Sequence, residues 1–366
     1  MPTRDDAYFM RLALRLGRRG VGRTSPNPPV GAVLVAHGRV VGRGFHRQAG
    51  LPHAEIEAVR AAGARARGAT CFVTLEPCNH HGRTPPCTAA LIAAGVRRVV
   101  AGTRDPNPAV RGNGLARLRA AGIAVTSGVE RAACDELIAA FRKHATTGLP
   151  LVTLKLAASL DGRIATATGE SRWITSAASR RYAHRLRAEH DAILVGAETV
   201  IRDDPELTCR IRGGRNPLRV VLDGRLRLPP RARVLDTRAA STLVITSGDA
   251  PAARIRRLTA AGAQVVQLPG RAGQIPLRRV LRALGRRGIL SVLIEGGAGV
   301  AAAAIRAGVV DRLLLFYAPK LIGGDGHPML GPLHVRRLRQ APRLGPFRVR
   351  RLAEDVLLAT EMVHPR

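Results

Sequence analysis

His53-Ala54-Glu55, Glu76-Pro77-Cys78 and Cys87 are the residues whose types and spacing suit chemistry. A catalytic zinc site takes three protein ligands and keeps one position open for water. His53, Cys78 and Cys87 supply that count. Glu55, two residues after His53, can face the same ion without binding it and carry a proton from the attacking water to a departing amine. His-x-Glu followed by Pro-Cys is the pattern of zinc deaminases that act on cytosine or adenine. Ligand thiols must ionise, and both cysteines are expected where helices begin, which favours the anion. One spacing departs from the pattern: eight residues, Asn79 to Pro86, separate the cysteines in place of the usual two. A structural four-ligand zinc using His80 or His81 is the competing arrangement, and it leaves Glu55 without a role.

The elements that must position these residues follow from hydrophobic period and turn signals. Asp5 to Arg19 carries apolar residues at helical spacing, including Tyr8, Phe9, Leu12 and Leu16. Val30 to Val35 reads as a buried strand, His37-Gly38 as a turn, and Arg39 to Phe45 as its hairpin partner. A helix after Pro52 carries His53 and Glu55. Thr70 to Leu75 is a strand that feeds Glu76-Pro77-Cys78, and a helix starts at Cys87. Val96 to Ala101 and Ile123 to Thr126 add strands, with the turn-rich Asp105-Pro106-Asn107-Pro108 between them; Leu115 to Ala121 and Glu130 to Lys143 add helices. Strands alternating with helices predict an α/β sheet covered by helices. The linker is expected at Thr146-Thr147-Gly148-Leu149-Pro150, which divides the chain into domains 1–146 and 147–366.

A second alternating pattern begins at Leu151, too long to be an appendage of the first. Glu295-Gly296-Gly297-Ala298-Gly299 follows a strand and opens a helix, a turn that can hold a phosphate on backbone N–H groups. It does not follow the first strand of its unit, which disfavours a Rossmann domain. Lys155 sits inside an apolar strand, where an ammonium needs a partner or a substrate. Trp173 is the single tryptophan and suits either core or ring stacking. Asp203-Asp204-Pro205 reads as an N-cap or turn before it reads as a metal site. On these residues alone, a non-catalytic module that binds a phosphorylated effector is the alternative to a second enzyme.

Composition narrows the class further. The formal charge of +33 invites a nucleic-acid reading, but the excess is arginine, scattered along the chain, with only Lys143, Lys155 and Lys320 as lysines. Aromatic residues number ten in 366, too few to interleave a stacking surface with that charge. Solvated arginines are therefore expected, with no specific nucleic-acid partner. Five cysteines, an odd number, do not form a disulfide framework. The first eight residues hold two acids and no apolar run, and no stretch offers eighteen uninterrupted apolar residues, so neither a signal peptide nor a membrane span is expected. A cytoplasmic protein fits these features.

Three segments together resemble a known family. Asn27-Pro28-Pro29-Val30-Gly31-Ala32-Val33, His53-Ala54-Glu55 and the run from Thr74 to Cys87 are similar to the bifunctional deaminase/reductases of bacterial riboflavin biosynthesis. The long loop between the cysteines separates that family from transfer-RNA and cytidine deaminases. Lys155 to Arg163, Gly169 to Thr175, Asp203 to Thr208 and Glu295-Gly296-Gly297 match its reductase half. The resemblance implies a cytidine-deaminase-like three-layer α/β domain followed by a dihydrofolate-reductase-like domain. It implies Zn2+ and NADPH as cofactors, a phosphoribosylated pyrimidine as substrate, and a homo-oligomer. By residue, it implies base contact by Asn27 and phosphoribosyl contact by His80, Arg83 and Thr84. In the reductase half it implies cofactor contact by Ala157, Trp173, Thr199, Asp203, Gly297, Ala298 and Gly299. Substrate contact there falls to Lys155, Ser171, Arg187, Leu207, Arg210 and Glu295. The guanidinium forks of Arg187 and Arg210 suit a ribose phosphate.

Overall fold

The computed structural model describes residues 4–80, 85–108, 110–270 and 273–364. The chain divides into two compact units, Met1–Leu149 and Pro150–Arg366.

The first unit runs α1 (Arg4–Gly17), β1 (Gly31–Ala36), β2 (Arg39–Phe45), α2 (Ala54–Ala62), β3 (Thr70–Leu75), α3 (Cys87–Ala93), β4 (Arg98–Thr103), α4 (Asn113–Ala120), β5 (Ala124–Ser127), α5 (Arg131–Leu137) and α6 (Ala139–Thr147). Its strands pair in the order β2-β1-β3-β4-β5, with β1 antiparallel to both neighbours and β3, β4 and β5 parallel. Side chains alternate across a strand, and here each face meets its own layer. Leu34, Val73 and Val99 pack with Ala54, Ala58, Leu91 and Leu115 from α2, α3 and α4. Val33, Phe72 and Val100 pack with Met10, Leu14 and Cys134 from α1 and α5. The result is the three-layer α/β arrangement expected from the sequence. Arg98 ties α1 to the sheet by two parallel bonds to Asp6, each 2.9 Å.

Two local expectations change. The segment Glu130 to Lys143 is two helices, because Ile138 turns out of helical geometry (ψ 14°) and buries its side chain completely. Thr146 and Thr147 are helical, since their hydroxyls bond back to the carbonyls of Arg142 and Lys143. The chain leaves α6 only at Gly148, whose φ of 69° favours glycine.

The second unit runs β6 (Leu151–Ser159), β7 (Arg163–Ala165), α7 (Ala177–Glu189), β8 (Ala192–Gly196), α8 (Ala197–Asp203), β9 (Leu218–Leu222), β10 (Thr242–Ser247), α9 (Ala252–Ala260), β11 (Gln264–Leu268), α10 (Leu277–Gly285), β12 (Ser291–Glu295), α11 (Ala298–Arg306), β13 (Arg312–Ala318), β14 (His327–Pro328), β15 (Arg343–Leu344), β16 (Arg348–Leu352) and β17 (Asp355–Val363). The main sheet is ordered β11-β10-β9-β8-β12-β6-β13-β17-β15, with β16 also on β17. It is parallel from β11 to β13 and antiparallel beyond. Central strands covered on both faces must be apolar throughout, and Ala192–Gly196 is buried along its whole length. Chain-distant β6 and β12 lie side by side, so Lys155 and Glu295 are register partners.

Candidate active sites

In the first unit, α2 is drawn onto the sheet by a glycine. A Cβ on Gly44 would stand 2.2 Å from the Ala54 carbonyl oxygen, so only hydrogen lets β2 and α2 approach this closely. The contact fixes His53 as the residue capping α2 and Glu55 in its first turn, where Glu55 is 4% exposed. Strand β3 ends at Leu75 and delivers Cys78 to the same place. Cys87 is the first residue of α3, and its N–H donates to Cys78 Sγ at 3.4 Å. Cys78 itself lies in a loop and not at a helix start; the N–H of Cys87 performs the stabilisation expected from its own helix.

His53 Nδ1 stands 3.3 Å from Cys87 Sγ and 3.6 Å from Cys78 Sγ. A tetrahedral zinc, with Zn–N near 2.0 Å and Zn–S near 2.3 Å, holds nitrogen and sulfur about 3.5 Å apart, so these ligand atoms fit the ion. A hydrogen bond from Cys87 holds the Cys78 thiol down to about 4, and the same bond pushes Cys87 up, while metal binding requires both to ionise. Burial, reinforced by the Cys78 thiolate, raises the Glu55 carboxyl to about 7.

His53, Glu55 and Cys78 line one cavity of about 380 Å³ with Asn27 and His80, and Cys87 is fully buried. His46, Asp105, Asn107 and Val110 also line it, and their sequence context points to no such role. His46 Nδ1 lies 3.1 Å from the Pro52 carbonyl, which can only accept, so Nδ1 carries the proton. Its Nε2 then accepts from Asn27 Nδ2 at 3.1 Å, which leaves the Asn27 carbonyl oxygen for another partner. Burial keeps this imidazole neutral by pushing its pKa down. A lone histidine after a hairpin gives no signal in the sequence. His80 is exposed at the cavity, and His81, Arg83 and Thr84 lie outside the described residues.

In the second unit, the β6–β12 pairing builds a buried charge cluster. Arg187, on α7, donates from Nε and Nη2 to the two Glu295 oxygens, both at 2.9 Å, and from Nη1 to the Thr208 carbonyl at 3.0 Å. Lys155 Nζ is 3.8 Å from Glu295. Burial by itself would raise the Glu295 carboxyl, but Arg187 and Lys155 outweigh it and hold it at about 2. Burial also lowers Lys155, with Arg187 adding to the effect. The Arg187 fork expected on a ribose phosphate is thus taken up by Glu295. Arg210 is exposed beside His184, with Nε 3.3 Å from the ring.

Thr199 lies against the glycine turn: a Cβ on Gly297 would stand 3.1 Å from its Oγ1, and Gly296 and Gly297 have φ of 109° and 51°. Ala298 and Gly299 open α11. Ala157 is half-buried on β6. Trp173 is 61% exposed and stacks on Arg180 at 4.5 Å, which excludes the core reading. Arg172, next to the half-buried Ser171, donates to the Asp203 carbonyl at 2.6 Å. Asp203 and Asp204 lie at the C-terminal end of α8, so of the expected N-cap or turn the N-cap is ruled out. Leu207 is 3% exposed with φ of 56°, so its side chain is core. Any substrate contact it makes is through the backbone.

Comparison with known proteins extends this geometry. The RibD C-terminal domain family matches residues 150–358. The cytidine and deoxycytidylate deaminase zinc-binding region matches residues 3–103. The riboflavin biosynthesis protein RibD of Bacillus amyloliquefaciens is 46% identical over 326 residues, which is 89% of this chain and 87% of that protein. The chain belongs to the RibD family. The RibD of Escherichia coli is 42% identical over 367 residues, covering 97% of this chain and 98% of the relative. A crystal structure of a diaminohydroxyphosphoribosylaminopyrimidine deaminase/5-amino-6-(5-phosphoribosylamino)uracil reductase from Thermotoga maritima superposes with a TM-score of 0.87 at 38% identity, covering 98% of this chain and 99% of that one. As a RibD, the protein is a bifunctional deaminase and reductase of riboflavin biosynthesis that uses Zn2+ and NADPH. Its second domain has the dihydrofolate-reductase-like fold of RibD reductases.

Proposed function

We propose that the first unit deaminates 2,5-diamino-6-(5-phosphoribosylamino)pyrimidin-4-one and that the second reduces the ribosyl chain of the product. The grouping of His53, Cys78 and Cys87 beside the cavity that His53, Cys78, Glu55 and Asn27 line carries this reading. Zinc on the first three residues supplies acidification of the attacking water when bound. Glu55 takes a proton from that water as its oxygen adds to the ring carbon bearing the amine. Glu55 gives that proton to the ring nitrogen, takes the second proton from the added hydroxyl and passes it to the amine; the C–N bond breaks, and ammonia leaves a carbonyl behind. Asn27, its amide nitrogen engaged by His46, offers its carbonyl oxygen to a ring N–H. His80 and Arg83 take the phosphoribosyl end.

In the second unit, NADPH supplies the hydride. Ala157, Trp173, Thr199, Asp203 and the Gly297-Ala298-Gly299 turn are assigned to the cofactor. Lys155, Ser171, Arg187, Leu207, Arg210 and Glu295 are assigned to the substrate, with exposed Arg210 as the phosphate partner and Arg187 acting through Glu295. The hydride adds to C1′ as the bond from C1′ to the ring oxygen opens, and that oxygen takes up a proton. Lys155, desolvated and beside Glu295, is its donor in this reading. A chelator is expected to abolish ammonia release, with zinc restoring it, while NADPH oxidation with supplied deaminated substrate continues. If both reactions stop together, the assignment of zinc to the first unit fails.

We further propose a homo-oligomer in the cytoplasm. Val349 and Val356, 68% and 37% exposed, lie on one face of the paired strands β16 and β17 and present apolar side chains of the kind that a second subunit covers. Sedimentation at micromolar concentration tests this, and a monomer would end it. The five free thiols, two of them proposed zinc ligands, suit a reducing compartment.

A further inference from the structure

Glu76 lines the deaminase cavity but has no part in the chemistry above. It is 4% exposed, and a buried carboxylate is costly unless its lone pairs are filled. Four backbone N–H groups fill them. Gly114 and Leu115 donate to Oε1 at 3.0 and 3.2 Å. Asp105 and Gly112 donate to Oε2 at 3.2 and 3.0 Å. The Gly112 to Leu115 groups belong to the start of α4, where unpaired N–H groups and the helix dipole favour an anion.

Asp105 and Gly112 are also the two ends of one loop, so a single oxygen closes it. That loop carries Asn107 and Val110, which line the cavity together with Asp105. Internal bonds from Val110 and Arg111 to the Asn107 carbonyl shape it. Glu76 is itself anchored, since its N–H donates to the Thr103 carbonyl at 2.9 Å. Gly114 marks how tight the closure is: a Cβ there would stand 1.9 Å from the Pro77 carbonyl oxygen, one residue before Cys78.

We propose that Glu76 is a positioning residue for deamination. It clasps Asp105 and Gly112, and with them Asn107 and Val110, to the segment ending in Cys78, and so fixes the gap between a metal ligand and the cavity wall that receives the pyrimidine. This rests on the deaminase reading of the first unit. A carboxylate that only held the fold together would change thermal stability and leave substrate affinity alone.

The test is Glu76→Gln in the full chain. Glutamine keeps the shape but turns one end into a donor, so one pair of N–H groups loses its acceptor. KM for deamination is expected to rise roughly tenfold or more, with a smaller change in kcat. Zinc content per chain and the kinetics of reduction with supplied deaminated substrate should match wild type. A wild-type KM in the folded variant overturns the proposal, and so does activity lost in step with zinc. If Glu76→Gln does not accumulate as folded protein, Glu76→Asp, with the charge kept on a shorter arm, goes through the same measurements, and the same two results overturn the proposal. Failure of the deaminase reading is distinguishable, because wild-type enzyme would then release no ammonia.

Discussion

Glu55→Ala is expected to lower ammonia release by on the order of a thousandfold, the scale of a lost general acid–base group, while reduction of supplied deaminated substrate runs at the wild-type rate. The chemistry needs one group that both accepts and returns a proton. Glu55 is a buried carboxyl beside the ligand cluster, electrostatically coupled to Cys78 and His53. The substitution should cost little stability, because burying a carboxyl opposes folding and alanine removes that cost. A thermal melt alongside the two assays checks this. Residual ammonia release near wild type would place the proton carrier elsewhere, and loss of both activities would argue against separable sites.

The second large effect separates the members of the reductase cluster. Glu295→Ala leaves Arg187 and Lys155 as buried cations without their carboxylate. Breaking a buried pair from one side costs about 3–5 kcal/mol, which for a unit of this size lowers the melting temperature by about 10 °C. Lys155→Ala is different. Glu295 keeps both bonds to Arg187 at 2.9 Å, and only the longer contact at 3.8 Å is lost. It should remain folded, lose reduction by about a hundredfold or more if Lys155 delivers the proton, and release ammonia normally. Equal melting temperatures for the two variants would show that Glu295 is not the centre of the cluster. The sign with pH follows from the depressed carboxylate. Its contribution is complete above the unfolded value of roughly 4.3 and is lost as pH falls toward about 2. Wild type should therefore resist acid better than Glu295→Ala between those limits.

The grouping of His53, Cys78 and Cys87 next to Glu55 could be read from sequence because ligand chemistry restricts residue type and helix or strand ends restrict spacing. The strands were legible for a similar reason: buried parallel strands such as Ala192–Gly196 are apolar throughout. What could not be read depended on tertiary approach. Asp105 and Asn107 look like turn residues until Glu76 folds their loop onto the cavity. His46 has no partner pattern in sequence, and its tautomer is set by the Pro52 carbonyl. Lys155 announced only that a buried ammonium needs a partner. The choice of Glu295 required a pairing between strands far apart in the chain. Arg187 and Arg210 looked alike, and only the fold separates an arginine forked onto a buried carboxylate from an exposed one with a looser pair to Glu206.

The β6–β12 pairing also bears on how the protein is made. Strand β6 emerges from the ribosome early in its unit, but the neighbour that completes the Lys155–Glu295 pair follows only after β8 to β11 have been synthesised. Until then β6 lacks β12, one of the parallel neighbours that flank it in the finished sheet. Contacts this distant in sequence form slowly, because loop closure comes before the reward. The first unit, whose strands all lie before Leu151, can meanwhile finish its own sheet. A nascent chain arrested before Ser291 would therefore carry a folded zinc domain attached to an open, apolar half-sheet, the stage at which this protein most needs a chaperone.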